Sequence, residues 1–241
     1  ADFSHAIELD PCSALSYNAR ALLLERLGRT DDAAMDFNRA LAIEPTSATF
    51  LRNRGLCHRN RGAYEEAVRD FGEVLVRSPR DFATLSNRGY AHRKLGNYEQ
   101  AIQDYGAAID LSPDSVRLYN NRGYCHAKLG RYEDAIMDYS KVLELDPNNM
   151  HAHHNRGISY DKMGQFSQAI KDFTSVLKLD PHNANAYFNR GSAHDSLGDF
   201  DEAIMDYTKA LDLDMAQGGD DARGPADRER PDRPRTESQA V

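Results

Sequence analysis

The sequence predicts an all-α solenoid of stacked antiparallel helix pairs, and three observations carry that prediction. A proline recurs at a 34-residue step, at Pro11, Pro45, Pro79, Pro113, Pro147 and Pro181. A glycine keeps the same step, at Gly28, Gly62, Gly96, Gly130, Gly164 and Gly198. Between these marks apolar and small residues recur at three and four, as Tyr119, Gly123 and His126 do, followed by Ala135, Tyr139, Val142 and Leu143. Such a period marks a stack of units that cannot bury their apolar faces alone, so the product is an extended surface and not a compact pocket.

Taken in order, residues 1–13 read as the second half of a unit, and six full repeats follow at 14–47, 48–81, 82–115, 116–149, 150–183 and 184–217. Within each repeat the periodic glycine separates two helices, because it accepts the positive φ that ends a helix without a Cβ clash. Proline then closes the second helix, as in LDPNN and LDPHN. A second glycine series, Gly55, Gly89, Gly123, Gly157 and Gly191, falls inside the first helices. Each costs about 1 kcal/mol relative to alanine there, which implies that two backbones approach closely. The facing alanines Ala67, Ala101, Ala135, Ala169 and Ala203 point the same way. Repeat one departs from the pattern with Ala21 and Thr30, and repeat six has Met215 in place of proline. Beyond Met215 the chain turns to Gly, Pro and charge, so 216–241 reads as a disordered tail.

The 241 residues carry a net charge of -8, with 28% charged and 40% hydrophobic residues. That balance suits helices with one buried stripe. No apolar run approaches the roughly 18 residues that span a bilayer, and the start ADFSHAIELDP lacks the pattern of a secretory signal. The missing initiator Met suggests a fragment or a processed product. Cys57 and Cys125 hold the same place two units apart, which at about 10 Å per repeat separates them by about 20 Å. A disulfide needs Cα atoms within roughly 7 Å, so buried thiols and a reducing, cytoplasmic or nuclear compartment are expected.

The units NRGYAHRKLGNYEQAIQDYGAAIDLSPD (87–114) and NRGYCHAKLGRYEDAIMDYSKVLELDPNN (121–149) closely resemble the tetratricopeptide repeat, over nearly everything from residue 1 to 214. The resemblance implies a right-handed superhelix of helix pairs whose first helices line a concave groove. That groove would bind peptides or partner proteins.

Asparagine fills the sixth place of five consecutive repeats, at Asn53, Asn87, Asn121, Asn155 and Asn189. In the family this place faces or borders the groove. An amide there can donate to a peptide carbonyl while accepting from its N–H, reading backbone without regard to side chains. At about 3.3 Å per extended residue and about 10 Å per repeat, one Asn would meet the ligand roughly every third residue. The pattern is similar to the Asn ladders in the peptide-binding arms of O-GlcNAc transferase and of Pins-type scaffolds; the competing reading is that the amides bond only to their neighbours. Beside them run Arg20, Arg54, Arg88, Arg122, Arg156 and Arg190, matched by Asp36, Asp70, Asp104, Asp138, Asp172 and Asp206 on the second helices. Equal periods suggest bracing pairs, either within a repeat (Arg54 to Asp70) or between repeats (Asp36 to Arg54). The groove-facing places carry Arg26, Arg52, Arg59, Arg93, Lys94, Arg117, Lys128 and Lys162 against Glu25, Asp161 and Asp195. With Tyr90, Tyr124 and Phe188 supplying apolar contact, an acidic or C-terminal segment would be steered there. The candidate peptide-binding set is therefore the five asparagines with Arg59, Tyr90, Lys94, Tyr124, Lys128 and Lys162.

Other functions find less support. The clamp that holds a chaperone EEVD tail resembles a pattern of Lys and Asn at places five and nine of one repeat, Asn at place six of the next, and Lys and Arg at places two and six of a third. This chain keeps only the Asn. His58, His92, His126 and His194 are one site in different repeats, too far apart to share a metal ion. No nucleophile elbow, phosphate loop or paired catalytic carboxylate emerges, so no catalytic residue, cofactor or metal is expected, and net acidity disfavours nucleic acid. The expectation is a non-enzymatic cytoplasmic scaffold that binds an extended segment of a partner protein. The alternatives are a substrate-recruiting arm of a larger glycosyltransferase or phosphatase, and self-association through uncapped ends.

Overall fold

The structure, a computed structural model, describes residues 2–221. Among them lie thirteen helices and no strand: α1 (Asp2–Leu9), α2 (Ala14–Arg26), α3 (Thr30–Ile43), α4 (Ala48–Asn60), α5 (Tyr64–Arg77), α6 (Phe82–Lys94), α7 (Tyr98–Ile109), α8 (Val116–Lys128), α9 (Tyr132–Leu145), α10 (Met150–Lys162), α11 (Phe166–Leu179), α12 (Ala184–Leu197) and α13 (Phe200–Asp221). The even-numbered helices are the first helices of the six repeats, and α1 is the unpaired second helix that precedes them. Each turn between first and second helix places its glycine at a φ of 72 to 85°, the left-handed region that other residues enter only at a cost. Several first helices start from side-chain caps. Ser13, Asp81, Asn149 and Asn183 accept from the backbone N–H of Ser16, Thr84, Ala152 and Ala186, satisfying donors that the first turn leaves open. The helix α13 shows what the missing proline does. With Met215 at that place it carries on to Asp221, past the boundary that composition suggests, while the rest of the expected tail, 222–241, lies outside the described residues.

The close approach at the first-helix glycines is of a ring to a backbone, not of two backbones. A Cβ at Gly55 would stand 2.7 Å from Cε1 of Phe71, one at Gly157 2.8 Å from Cε1 of Phe173, and one at Gly89 3.0 Å from Cε1 of Tyr105. In repeats two to six the second helix thus lays an aromatic ring against the first, and the rings of Phe71, Tyr105, Tyr139 and Phe173 are fully buried. The alanines belong to the joints between repeats: Ala67 clusters with Phe71 and Ala91, and Ala169 with Phe173 and Ala193. Successive first helices touch one another, whereas successive second helices do not. The first helices therefore line the shorter, inner side of the stack.

The arginine and aspartate series pair within the repeat, all six times. Nε and Nη2 of Arg20, Arg54, Arg88, Arg122, Arg156 and Arg190 donate in bidentate fashion to Asp36, Asp70, Asp104, Asp138, Asp172 and Asp206 at 2.6 to 2.9 Å. The aspartates are buried and the arginines partly so, and the paired carboxylate raises the guanidinium pKa of Arg54, Arg122, Arg156 and Arg190. At four joints the remaining Nη1 reaches back to the preceding second helix, to Ser4, Asn38, Ser140 or Thr174. One residue thereby ties the two helices of its own repeat and the joint before it.

Candidate functional site

The inner surface opens into a cleft of about 520 Å³ across repeats two to four, lined by Arg59, Asn60, Tyr64, Ser86, Asn87, Tyr90, Arg117 and Asn121. Four of the sequence-derived candidates, Arg59, Asn87, Tyr90 and Asn121, meet there. Arg59 leaves the last turn of α4 and donates to the Asn87 carboxamide oxygen and to Asn60 Oδ1. Tyr90 on α6 stands edge-on to Tyr64, ring centroids 6.3 Å apart, and one repeat later Tyr124 meets Tyr98 in the same way at 6.4 Å. Cations cover these rings: Lys94 lies 5.6 Å from the Tyr90 centroid, Lys128 5.3 Å from that of Tyr124, and Arg93 between them at 5.1 and 5.3 Å. A cation held against a ring face is fixed in place while keeping its charge. Among the described residues none of Arg59, Arg93, Lys94, Arg117 and Lys128 lies within 4 Å of a carboxylate. The inner surface here is basic within an acidic chain.

The asparagines do not form five equivalent amides. Asn53 donates to Asn18 Oδ1 at 2.9 Å, and Asn87, besides accepting from Arg59, donates to the Ala83 carbonyl at 2.8 Å. Asn189 stands 3.5 Å from His154 Nε2, at the limit of a hydrogen bond. Asn121 and Asn155 have no side-chain hydrogen bond among the described residues, and of these two only Asn121 lines the cleft. Lys162 lies outside it, 3.9 Å from Asp161. Arg52, counted from sequence among the groove cations, is neutralised by Asp81 at 2.7 Å.

Sequence reasoning passed over Ser86, Asn60 and Tyr64 as cleft walls. Ser86 holds the Nη2 of Arg117 at 3.3 Å. It also passed over Tyr105, whose place is filled by Phe37, Phe71 and Phe173 in other repeats and by Tyr139 and Tyr207 in two more. That alternation of Phe and Tyr was the available signal, since a hydroxyl added to a buried ring needs a partner. The thiols are core groups: Cys57 and Cys125 are buried and free, and burial pushes them up to about 11 and about 12. No helix of the described residues is long and apolar enough to cross a membrane.

Models of the tetratricopeptide repeat match residues 18–81 and 154–220, and 116–149, and a TPR-repeat model matches 89–130. The first alone covers more than half of the chain. The chain belongs to the tetratricopeptide-repeat (TPR) family. Among solved structures, this TPR array superposes on YrrB, described as a TPR protein with an unusual peptide-binding site, at a TM-score of 0.70 and 22% identity, over 77% of this chain and 96% of YrrB. A MamA structure gives a TM-score of 0.69 at 24% identity, over 72% of this chain and 95% of MamA. A further one, from Desulfovibrio magneticus RS-1, gives 0.67 at 25% identity over 70% and 96%. These likenesses establish the fold of the array. No curated protein sequence matches the chain.

Proposed function

We propose that this TPR array is a protein-interaction scaffold that holds an extended, acidic segment of a partner along its first helices, with the cleft of repeats two to four as the main seat. The observation that carries the reading is the set of cations with no carboxylate within 4 Å, Arg59, Arg93, Lys94 and Lys128 against the rings of Tyr90 and Tyr124 and Arg117 in the same cleft as Tyr90. Uncompensated charge beside apolar faces favours a chain that alternates acids with apolar residues, and steers it on approach. In this reading Asn121 contacts the peptide backbone directly, while Asn87 acts through the Arg59 that it positions.

Random dodecapeptides displayed on phage and selected on the full chain should enrich for Asp and Glu. A selected peptide should bind Lys94→Glu/Lys128→Glu roughly tenfold more weakly, and Asn87→Ala/Asn121→Ala more weakly as well, with the helical circular dichroism of both variants unchanged. Enrichment of neutral or basic peptides, or equal affinity for the charge-reversed variant, would remove the acidic-segment reading. A second reading, self-association, rests on Leu211, 59% exposed on α13 where its counterparts Leu41, Leu75, Ile109 and Leu177 are buried. Light scattering over a concentration series separates it from the first.

A further inference from the structure

At the joint between repeats three and four two buried polar atoms make no hydrogen bond. The Tyr105 ring packs on Gly89 and clusters with Leu118 and Cys125 of the next first helix, α8. Its residue is 0% exposed, and its hydroxyl has no hydrogen bond. Against it lies Arg93, whose Nε is equally buried and unpartnered. Leaving a buried donor unmade costs about 1–3 kcal/mol, so two such atoms side by side call for an explanation. The guanidinium is stacked between Tyr90 and Tyr124, near enough to act on the Tyr105 hydroxyl, and no carboxylate within 4 Å competes for it among the described residues. Arg117 stands at the start of α8, on the same joint, with only Ser86 as a neutral partner. Burial is the main influence on the Tyr105 hydroxyl and keeps it protonated; Arg93 and Arg117 pull its pKa down and Cys125 pushes it up.

We propose that the joint between repeats three and four is an anion seat, where one carboxylate or phosphate of the bound segment is gripped by Arg93 and Arg117 with Tyr105 as the positioning residue behind Arg93. An anion at the outer edge of the guanidinium turns it so that Nε–H donates to the Tyr105 oxygen, and both orphaned atoms are satisfied in the bound state. The seat sets the register of the segment, because the other joints lack the combination. Repeats two and five have Phe71 and Phe173 behind the groove, and in repeat four the place of Arg93 is taken by Ala127. It shares with the EEVD clamp pattern the cation at place two, here Arg117, and differs from it in using the twelfth place of Arg93 and the twenty-fourth of Tyr105. The inference rests on the groove reading for the source of the anion, but its chemistry is testable with anions alone.

The test uses the full chain labelled with 15N at arginine, titrated at constant ionic strength with sodium phosphate or with sodium acetate against sodium chloride. The Nε–H signals of Arg93 and Arg117 are assigned from Arg93→Lys and Arg117→Lys. Both signals should move together and saturably while that of the exposed Arg80 stays still. Tyr105→Phe, a ring that other repeats already accept, should weaken the apparent affinity at least threefold and remove most of the Arg93 shift. A response to phosphate alone assigns a phosphorylated residue, and a response to acetate assigns a carboxylate. If neither anion acts beyond chloride, or if Tyr105→Phe leaves the curves unchanged, there is no such seat; acidic peptides could still bind the groove, so that failure is separate from failure of the scaffold reading.

Discussion

Two rows of arginine run along this array, and they differ in what neutralises them. The outer row, from Arg20 to Arg190, meets a buried aspartate in every repeat. The inner group, Arg59, Arg93 and Arg117, meets rings, amides and a hydroxyl, with no carboxylate within 4 Å among the described residues. The same side chain therefore does two jobs. Where the charge is cancelled inside the repeat, arginine is a brace, committing two or three of its donors to the fold. Where it is not, the electrostatic field remains available to something outside the molecule.

Breaking the outer row should have the greatest consequence. Arg122→Leu leaves the Asp138 carboxylate buried without its partner and should cost about 3 kcal/mol, read as a lowered urea midpoint with loss of amide protection in α8 and α9. Adding Asp138→Ala should return most of that loss, since removing both charges removes the penalty. Arg93→Met on the inner side should change stability by no more than about 0.5 kcal/mol while weakening peptide binding. Equal stability losses from Arg122→Leu and Arg93→Met would erase the distinction between the rows.

This distinction was only partly legible in the sequence. The 34-residue step, the turn glycines and the closing prolines fix the helix pairs because each acts locally, through φ or a missing N–H. Arg54 and Asp70 are different. Both series keep the same step, so pairing within a repeat and pairing across a joint leave the same periodic trace, and only the crossing of the two helices decides. The asparagines were legible as residues but not as bonds, because the partners of Asn53 and Asn87 are a single carboxamide at Asn18 and a backbone carbonyl at Ala83. Tyr105 was hidden for the opposite reason: its ring obeys the core pattern, and its hydroxyl becomes visible only once it is found to have no partner. In α13, the change of composition after Met215 suggested an end that the absence of proline did not enforce.

A smaller effect on the outer row is expected from pH. His58 and His126 lie 3.8 and 3.9 Å from Asp70 and Asp138, and His92 holds the equivalent place in repeat three. Burial is the main influence on all three and lowers their pKa; Asp70, Asp104 and Asp138 pull upward, and the paired Arg54, Arg88 and Arg122 push back down. Glu66 beside His58 and Asp134 beside His126 add to the upward pull, while Arg61 and Arg131 oppose it. The folded state thus prefers neutral histidine. Its contribution is complete above the unfolded pKa of roughly 6.5, and it is lost as pH falls from there through the lower folded values, because the unfolded chain takes up protons first. The melting temperature should drop over that window. His58→Tyr/His92→Tyr/His126→Tyr, which copies Tyr160 of repeat five, should flatten the profile, and an unchanged pH dependence would assign the effect to other groups.

A slighter change tells the two rows apart most finely, because it strengthens the outer row at the joints where the inner one is open. Before repeats three and four the preceding helix offers Gly72 and Gly106, so Nη1 of Arg88 and Arg122 finds no side chain to bond. A Cβ built there would stand 3.9 and 3.6 Å from those nitrogens with nothing closer, which leaves room for a serine hydroxyl to accept as Ser140 does from Arg156 at 2.9 Å. Gly72→Ser/Gly106→Ser should gain about 1 kcal/mol from the added bonds and from replacing glycine inside a helix, seen as a higher urea midpoint. These are also the two joints that flank the cleft. If bracing and binding are separate tasks of separate arginines, the stiffened array should hold its selected peptide with unchanged affinity; weaker binding would show that the groove bends at these joints to close on its ligand, and that the outer row was left incomplete there to allow it.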